Sequence, residues 1–240
     1  MGAADSDAAA FSRALAALKR EGCNVLVVED SGGSTAACER LLGGHDLDRR
    51  HVFVPTTVSV ADVLDRHGSR PRDPTRFGVV DASEASATRS AAAVSAPQTD
   101  VGPGPSFHAN TDREWYDELD DITDLGTLVS LVREHLDRVL GDDRGTPGEL
   151  RFCMDSIDPF FDAVPEDVLF RFVHLLTSAV RDTRGMGHLH TSAGAGNVAV
   201  ATIEPLFDAT LLVETAPDGT VEQRWHLADS DLETDWFVLD

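Results

Sequence analysis

The sequence is short of positive charge. Its 240 residues include one lysine, Lys19, and 19 arginines, against 29 aspartates and 13 glutamates, which gives a formal net charge of −22. The arginines occur singly or in pairs such as Arg49 and Arg50. Nucleic-acid binding requires clustered cations that neutralise phosphates, so we expect no direct nucleic-acid partner. Self-repulsion of this size is screened in molar salt, where the Debye length is about 3 Å, and we therefore expect a halophilic protein.

Cysteines and long apolar runs are also scarce. Cys23, Cys38 and Cys153 are far apart in the chain and lack the spacing of a metal site. We therefore expect buried thiols in a reducing compartment and no disulfide framework. No run of about 18 uncharged apolar residues occurs, and the N-terminus is acidic where a secretory signal is basic. These absences predict a cytoplasmic protein with no membrane partner.

Short apolar runs alternate with helical stretches along the chain. Runs of this length without polar alternation are typical of strands that are buried on both faces. We expect such strands at 24–28, 51–55, 77–81, 150–155 and 188–192. Pro165 can occupy the first turn of a helix, and the sequence after it predicts a helix over 165–181. The alternation predicts an α/β fold with a mostly parallel central sheet.

Turn-forming residues mark the C-terminal part of the pattern. Pro217, Asp218 and Gly219 lie between two strand-forming stretches and predict an antiparallel hairpin. Residues from about 82 to 112 are rich in Ala, Ser, Pro and Gly and predict a flexible insert. We expect a single domain over residues 1–240.

The segment after the first strand has the order strand, glycine-containing loop and helix, which is the order of a phosphate-binding loop. Such a loop needs a lysine on the β and γ phosphates and a hydroxyl on magnesium. With the usual spacing, Glu29 takes the place of the first glycine and its carboxylate would repel phosphate. Thr35 stands in place of the lysine and Ala36 in place of the hydroxyl. A degenerate nucleotide site would retain Gly32, Gly33, Ser34 and Thr35.

The order of these elements resembles that of the RecA-like ATPases, especially their KaiC-like and archaeal RadA-like branch. The resemblance covers most of the chain and rests on this order and on two motifs, LRFCMDSIDPF at 150–160 and IEPLFDATLLVE at 203–214. It implies a RecA-like three-layer sandwich. It also gives Asp155 the place of the second-motif acid, which supports magnesium and water in that family. The chain further resembles haloarchaeal proteins described as transducer-like.

A RecA-like frame without the groups that perform hydrolysis implies a regulatory or signalling protein that is not an enzyme. We expect it to act through a protein partner or as a homo-oligomer. We expect no tightly bound cofactor, and ATP with magnesium bound weakly at most. The alternative is an active KaiC-like or RadA-like ATPase whose site is reorganised, with an arginine of a neighbouring protomer in place of the lysine.

VLVVED at 25–30 also resembles the first strand of a two-component receiver domain. In this second alternative Glu29 and Asp30 would bind magnesium, and Asp81 would accept a phosphoryl group. A receiver also needs a downstream lysine, and none follows Lys19.

His188 and His190 fall on the same face of a predicted strand, which suits two metal ligands. The sequence shows no paired third ligand close to them. We therefore expect strand histidines with satisfied ring nitrogens, and no metal site.

Overall fold

The computed structural model describes residues 3–29, 34–44, 47–67, 73–83, 114–142, 145–230 and 232–239. The strands in these ranges all belong to one sheet. They are β1 (Cys23–Glu29), β2 (Arg50–Val54), β3 (Phe77–Asp81), β4 (Tyr116–Glu118), β5 (Leu150–Met154), β6 (Met186–Thr191), β7 (Ala209–Thr215), β8 (Val221–Leu227), β9 (Leu232–Glu233) and β10 (Phe237–Val238).

The α-helices of the described ranges are α1 (Ala3–Glu21), α2 (Ser34–Leu42), α3 (Val60–His67), α4 (Leu125–Leu140), α5 (Glu166–Asp182) and α6 (Val198–Ile203). Local interactions explain where two of these helices begin or end. Gly22 follows α1 with φ of +89°, and a Cβ there would lie 2.7 Å from Arg184 Cα, so only glycine fits this turn. Asp124 caps α4 by accepting a hydrogen bond from the Thr127 amide.

The strand order along the sheet is β10-β8-β7-β1-β6-β5-β2-β3-β4, with β9 paired to β8. From β7 to β4 every neighbouring pair is parallel. Strand β8 is antiparallel to β7, β9 and β10. The structure thus confirms the α/β class, the mostly parallel central sheet and the C-terminal antiparallel hairpin.

Helices cover both faces of the sheet. On one face, buried side chains of α4, α5 and α6 pack on alternate residues of the strands, such as Leu26 and Phe152. On the other face, α1, α2 and α3 cover the intervening residues, such as Val27 and Cys153. Strand β1 is buried along its whole length, because β6 and β7 flank it and helices lie on both of its faces.

One strand was not expected from the sequence, and one predicted feature lies outside the described residues. Residues 116–118 belong to an acidic stretch that carries no apolar run, yet they form β4 at the edge of the sheet. The predicted flexible insert lies outside the described residues from residue 84 onward. Within the described ranges, every helix is too short or too polar to cross a bilayer.

Candidate functional site

The predicted nucleotide site lies at the carboxyl edge of the sheet, where parallel α/β proteins bind their ligands. The loop leaves β1 and Asp155 directly follows β5, with β6 between them. Gly32 and Gly33 lie outside the described residues. Ser34 is the first residue of α2, and Thr35 is exposed in its first turn. The basic residue of α2, Arg40, lies in the last turn, so this helix brings no cation to the loop.

Both carboxylate oxygens of Asp155 are occupied by hydrogen bonds from the segment that follows β2. Oδ1 accepts from the Thr56 amide; the Thr56 hydroxyl lies 3.1 Å from it but donates its one proton to the Ser156 carbonyl at 2.6 Å. Oδ2 accepts from the Thr57 amide at 3.0 Å, the Thr57 hydroxyl at 2.5 Å and the Val58 amide at 2.9 Å. A carboxylate offers about four lone-pair positions, and four donors converge on this one, three of them on Oδ2. Asp155 therefore fastens the β2–α3 connection, whose atoms surround both of its oxygens.

The neighbouring Asp158 fastens the end of β6 in the same way. Its Oδ1 accepts from the Thr191 hydroxyl, and its Oδ2 accepts from the Ser192 amide at 2.9 Å and the Ser192 hydroxyl at 2.5 Å. The carboxyl edge thus uses aspartates as acceptors for amides and hydroxyls of adjacent connections.

Asp81, the acceptor in the receiver alternative, is fully buried at the end of β3. Its Oδ1 accepts from the Ser83 amide and hydroxyl, and Tyr116 donates to its Oδ2 at 3.2 Å. In a receiver domain the first and third strands are neighbours. Here β6, β5 and β2 separate β1 from β3, so the fold does not bring Asp81 to Glu29. Asp30 lies outside the described residues.

Glu29, at the end of β1, is buried. Its Oε1 lies 2.8 Å from His190 Nδ1 on the adjacent strand β6. Because a carboxylate only accepts, Nδ1 carries the proton and donates it to Glu29. The second ring nitrogen, His190 Nε2, is buried and has no hydrogen-bond partner in the described part of the chain. The expectation that both ring nitrogens are satisfied is therefore wrong for His190.

Four metal-binding side chains meet on the face of the sheet that α2 covers. We call this set the Cys–His cluster; one donor atom from each side chain lies within 4.8 Å of all the others, and its members are Cys38, Cys153, His188 and His190. The two sulfurs are 3.4 Å apart, and His188 Nε2 lies 3.5 Å from Cys38 Sγ. All four residues are at least 97% buried. The expectation that the two histidines have no further ligand near them is therefore wrong.

Burial and mutual contact shift the pKa values in this cluster. The hydrogen bond from Cys153 lowers the pKa of the Cys38 thiol well below its usual value despite burial, and that of Cys153 is raised in turn. Burial lowers the pKa of His188. At His190 burial acts in the same direction, but the neighbouring Cys38 sulfur and the Glu29 carboxylate outweigh it and raise the pKa to about 9.

The fold brings the cluster together through contacts that the sequence does not display. The alternation of His188 and His190 was the visible signal. Cys153 faces His188 directly because β5 and β6 are neighbours in register. Cys38 comes from α2, which packs on β5 and β6. Pairing the predicted strands at 150–155 and 188–192 would have found Cys153, but no sequence pattern places Cys38.

Comparison with known proteins gives one family and no annotated relative. Residues 22–213 match the model of a family described as "Family of unknown function (DUF7504)". No curated protein matches the sequence. The matched range includes β1 to β6 and most of β7, with Glu29, Asp155 and the whole Cys–His cluster.

Proposed function

The chain belongs to the DUF7504 family, and we propose that it is a regulatory or signalling protein of the cytoplasm that does not hydrolyse ATP. In this proposal the protein keeps a RecA/KaiC-like scaffold and acts through contact with another protein chain. The proposal rests on the chemistry of its own residues at the carboxyl edge of the sheet.

The observation that carries the proposal is the saturation of Asp155. A second-motif acid must keep acceptor positions for magnesium-bound water, whereas four donors from Thr56, Thr57 and Val58 take up this carboxylate. Releasing it would leave the partly buried amides of Thr56 and Val58 without an acceptor, which is costly. Asp155, in the position of the catalytic acid, thus stabilises the β2–α3 connection at the carboxyl edge of the sheet.

The start of α2 supports the same conclusion. Phosphoryl transfer needs positive charge on the β and γ phosphates, and Thr35 offers only a hydroxyl in the lysine position. Glu29, at the first position of the loop pattern, brings a carboxylate and no cation, and it is committed to His190. A scaffold with this edge can support weak nucleotide binding at most.

Exposed apolar side chains on the α5 and α6 side of the sheet support a role in protein contact. Val168 and Phe170 of α5 are 40% and 39% exposed, and Val198 of α6 is 74% exposed. Large apolar side chains that are exposed to water often mark a surface that a partner covers. The core therefore buries only part of the apolar side chains of the 165–181 region.

The hydrolysis claim is tested by calorimetric titration with MgATP in molar KCl, with phosphate release measured on the same sample. We expect no turnover above the protein-free rate. Binding without turnover would make the protein a nucleotide sensor, and absence of binding would make it an interaction module. Turnover that is lost in Asp155→Asn but kept in the matched control Asp158→Asn would overturn the proposal in favour of a reorganised ATPase.

The contact claim is tested by light scattering after size exclusion and by co-purification, both at high salt. We expect the wild-type chain to associate with itself or with a partner, and Phe170→Asp to reduce this association at least tenfold. Arg171→Asp, at the next exposed position of α5, is the control and should change it little. A monomeric wild-type chain that captures no partner would contradict the contact claim.

A further inference from the structure

We propose that Cys38, Cys153, His188 and His190 bind one zinc ion, which fixes α2 to strands β5 and β6. The proposal goes beyond the regulatory function, because the ion would be structural and would need no nucleotide. Two thiolates and two imidazoles in a closed site are the donor set of structural zinc.

The spacing of the donors fits a single tetrahedral ion. Zinc–sulfur and zinc–nitrogen bonds of about 2.3 and 2.0 Å give donor–donor edges of about 3.3–3.8 Å in a tetrahedron. The 3.5 Å between Cys38 Sγ and His188 Nε2 matches the sulfur–nitrogen edge of about 3.5 Å, and the 3.4 Å between the sulfurs is about 0.4 Å shorter than the sulfur–sulfur edge. The four donors lie within 4.8 Å of one another, so small movements would bring them to these edges.

The orientation of His190 is an independent sign of a ligand. A metal-bound histidine commonly donates its second ring nitrogen to a carboxylate, which fixes the ring and its tautomer. Glu29 accepts from Nδ1 in this manner, and it leaves Nε2 buried and without a hydrogen-bond partner among the described residues. A buried ring nitrogen without a partner is unfavourable by itself, whereas a metal ion would displace any proton on it and use the lone pair.

The charges around the cluster are compatible with a bound divalent cation. Two thiolates would neutralise the ion, and Glu29 adds one negative charge. Arg66 of α3 adds one positive charge, with Nη1 3.9 Å from Cys38 Sγ. The sum is zero, which is the condition under which a buried polar cluster is least unfavourable.

Two other uses of these residues explain less. A Cys38–Cys153 disulfide would leave His188 and His190 without a role. A Cys38 nucleophile with His190 as base and Glu29 behind it has the connectivity of a catalytic triad, but Cys38 is only 1% exposed and a substrate would not reach it. Zinc binding uses all four side chains and their burial.

The test begins with the full chain, purified in molar KCl without chelator and without a polyhistidine tag. Elemental mass spectrometry should find about one zinc per chain. Cys38→Ser and Cys153→Ser should each lower this at least fivefold. Cys23→Ser is the matched control, because Cys23 is another buried cysteine on the same face of the sheet but outside the cluster, and it should keep the full zinc content.

A second measurement on the unaltered chain covers the case in which the serine variants fail to fold. Removal of zinc with a chelator should lower Tm by about 10 °C or more, and added zinc should restore it. Replacement by Co²⁺ should give the visible bands of a tetrahedral ion and a thiolate-to-cobalt charge-transfer band. A reduced chain that holds no zinc and takes up none would overturn the proposal. So would a Cys38–Cys153 disulfide in the freshly isolated protein, or full zinc content in both serine variants.

Discussion

Glu29 Oε1 and His190 Nδ1 are 2.8 Å apart in the buried space between β1, β6 and α2. The phosphate-loop pattern would place a glycine at position 29, next to the nucleotide. The carboxylate at this position instead orients a histidine on the neighbouring strand. Glu29 thus both departs from the phosphate-loop pattern and orients a member of the buried Cys–His cluster.

Replacing Glu29 tests this relationship through stability alone. Glu29→Ala leaves His190 Nδ1 without its acceptor and should lower the free energy of unfolding by about 1–3 kcal/mol. Glu29→Gln keeps a carbonyl oxygen that accepts from Nδ1 and should cost less. Denaturant unfolding of metal-free samples in molar KCl measures both, and equal stability of the two variants would show that the contact contributes nothing.

Asp155 should behave as a structural acceptor. Asp155→Ala removes the acceptor of three amides and of the Thr57 hydroxyl and should lower the free energy of unfolding by about 1.5–3 kcal/mol. Asp162→Asn, an exposed acidic position beyond β5, should stay within about 0.5 kcal/mol of wild type. Chemical denaturation compares them, and an Asp155→Ala chain as stable as Asp162→Asn would refute the structural role.

Gly78 in β3 makes room for a side chain of α4. A Cβ at this position would lie 2.4 Å from His135 Nδ1, so Gly78→Ala should cost about 1–3 kcal/mol. Gly126 in the first turn of α4 is the control, because its nearest neighbour would be 3.6 Å away. Gly126→Ala should be neutral or stabilise the helix by up to about 1 kcal/mol. Thermal unfolding of both variants checks the difference, and similar Tm values would contradict it.

His135 should make stability depend on pH between about 7 and 5. Burial and the adjacent Arg138 lower its pKa, against the opposing effect of its hydrogen bond to Asp117. The unfolded chain therefore takes up a proton near the ordinary histidine pKa of about 6.5, while the folded chain does not. The unfolded state binds more protons, so stability decreases as the pH falls through this range.

The His135→Gln variant tests the predicted decrease in stability as the pH falls. The free energy of unfolding of His135→Gln should vary less between pH 7 and 5 than that of wild type, measured by urea titration at constant ionic strength. An unchanged pH profile would mean that the pKa of His135 is the same in the folded and unfolded states. A steeper profile would mean that it is protonated preferentially when folded.

The sequence is informative where burial produces continuous apolar runs. Strands β1, β2, β3, β5 and β6 were all predicted, because each is covered on both faces and its composition reflects that. The three-residue β4 was not predicted, because an edge strand of Tyr116, Asp117 and Glu118 has no apolar run that would indicate a strand.

The site was less predictable because its residues meet only through strand order. His188 and His190 share a face by simple alternation, which the sequence reveals. Cys153 joins them through the β5–β6 pairing and Cys38 through the packing of α2, and both contacts link residues more than 30 positions apart. Asp155 was identified as a residue of interest, but its hydrogen bonds to Thr56 and Thr57 depend on the neighbouring β2.

The position of β1 in the sheet sets the order in which the chain can fold. Its two neighbours, β6 and β7, begin at Met186 and Ala209, so more than 150 residues are synthesised after β1 before either of its edges can pair. Until then an apolar strand with two open edges is exposed to other nascent chains. Folding is therefore completed late in synthesis, with slow non-local pairing, and protection of the N-terminal segment by chaperones would favour a high yield of native protein.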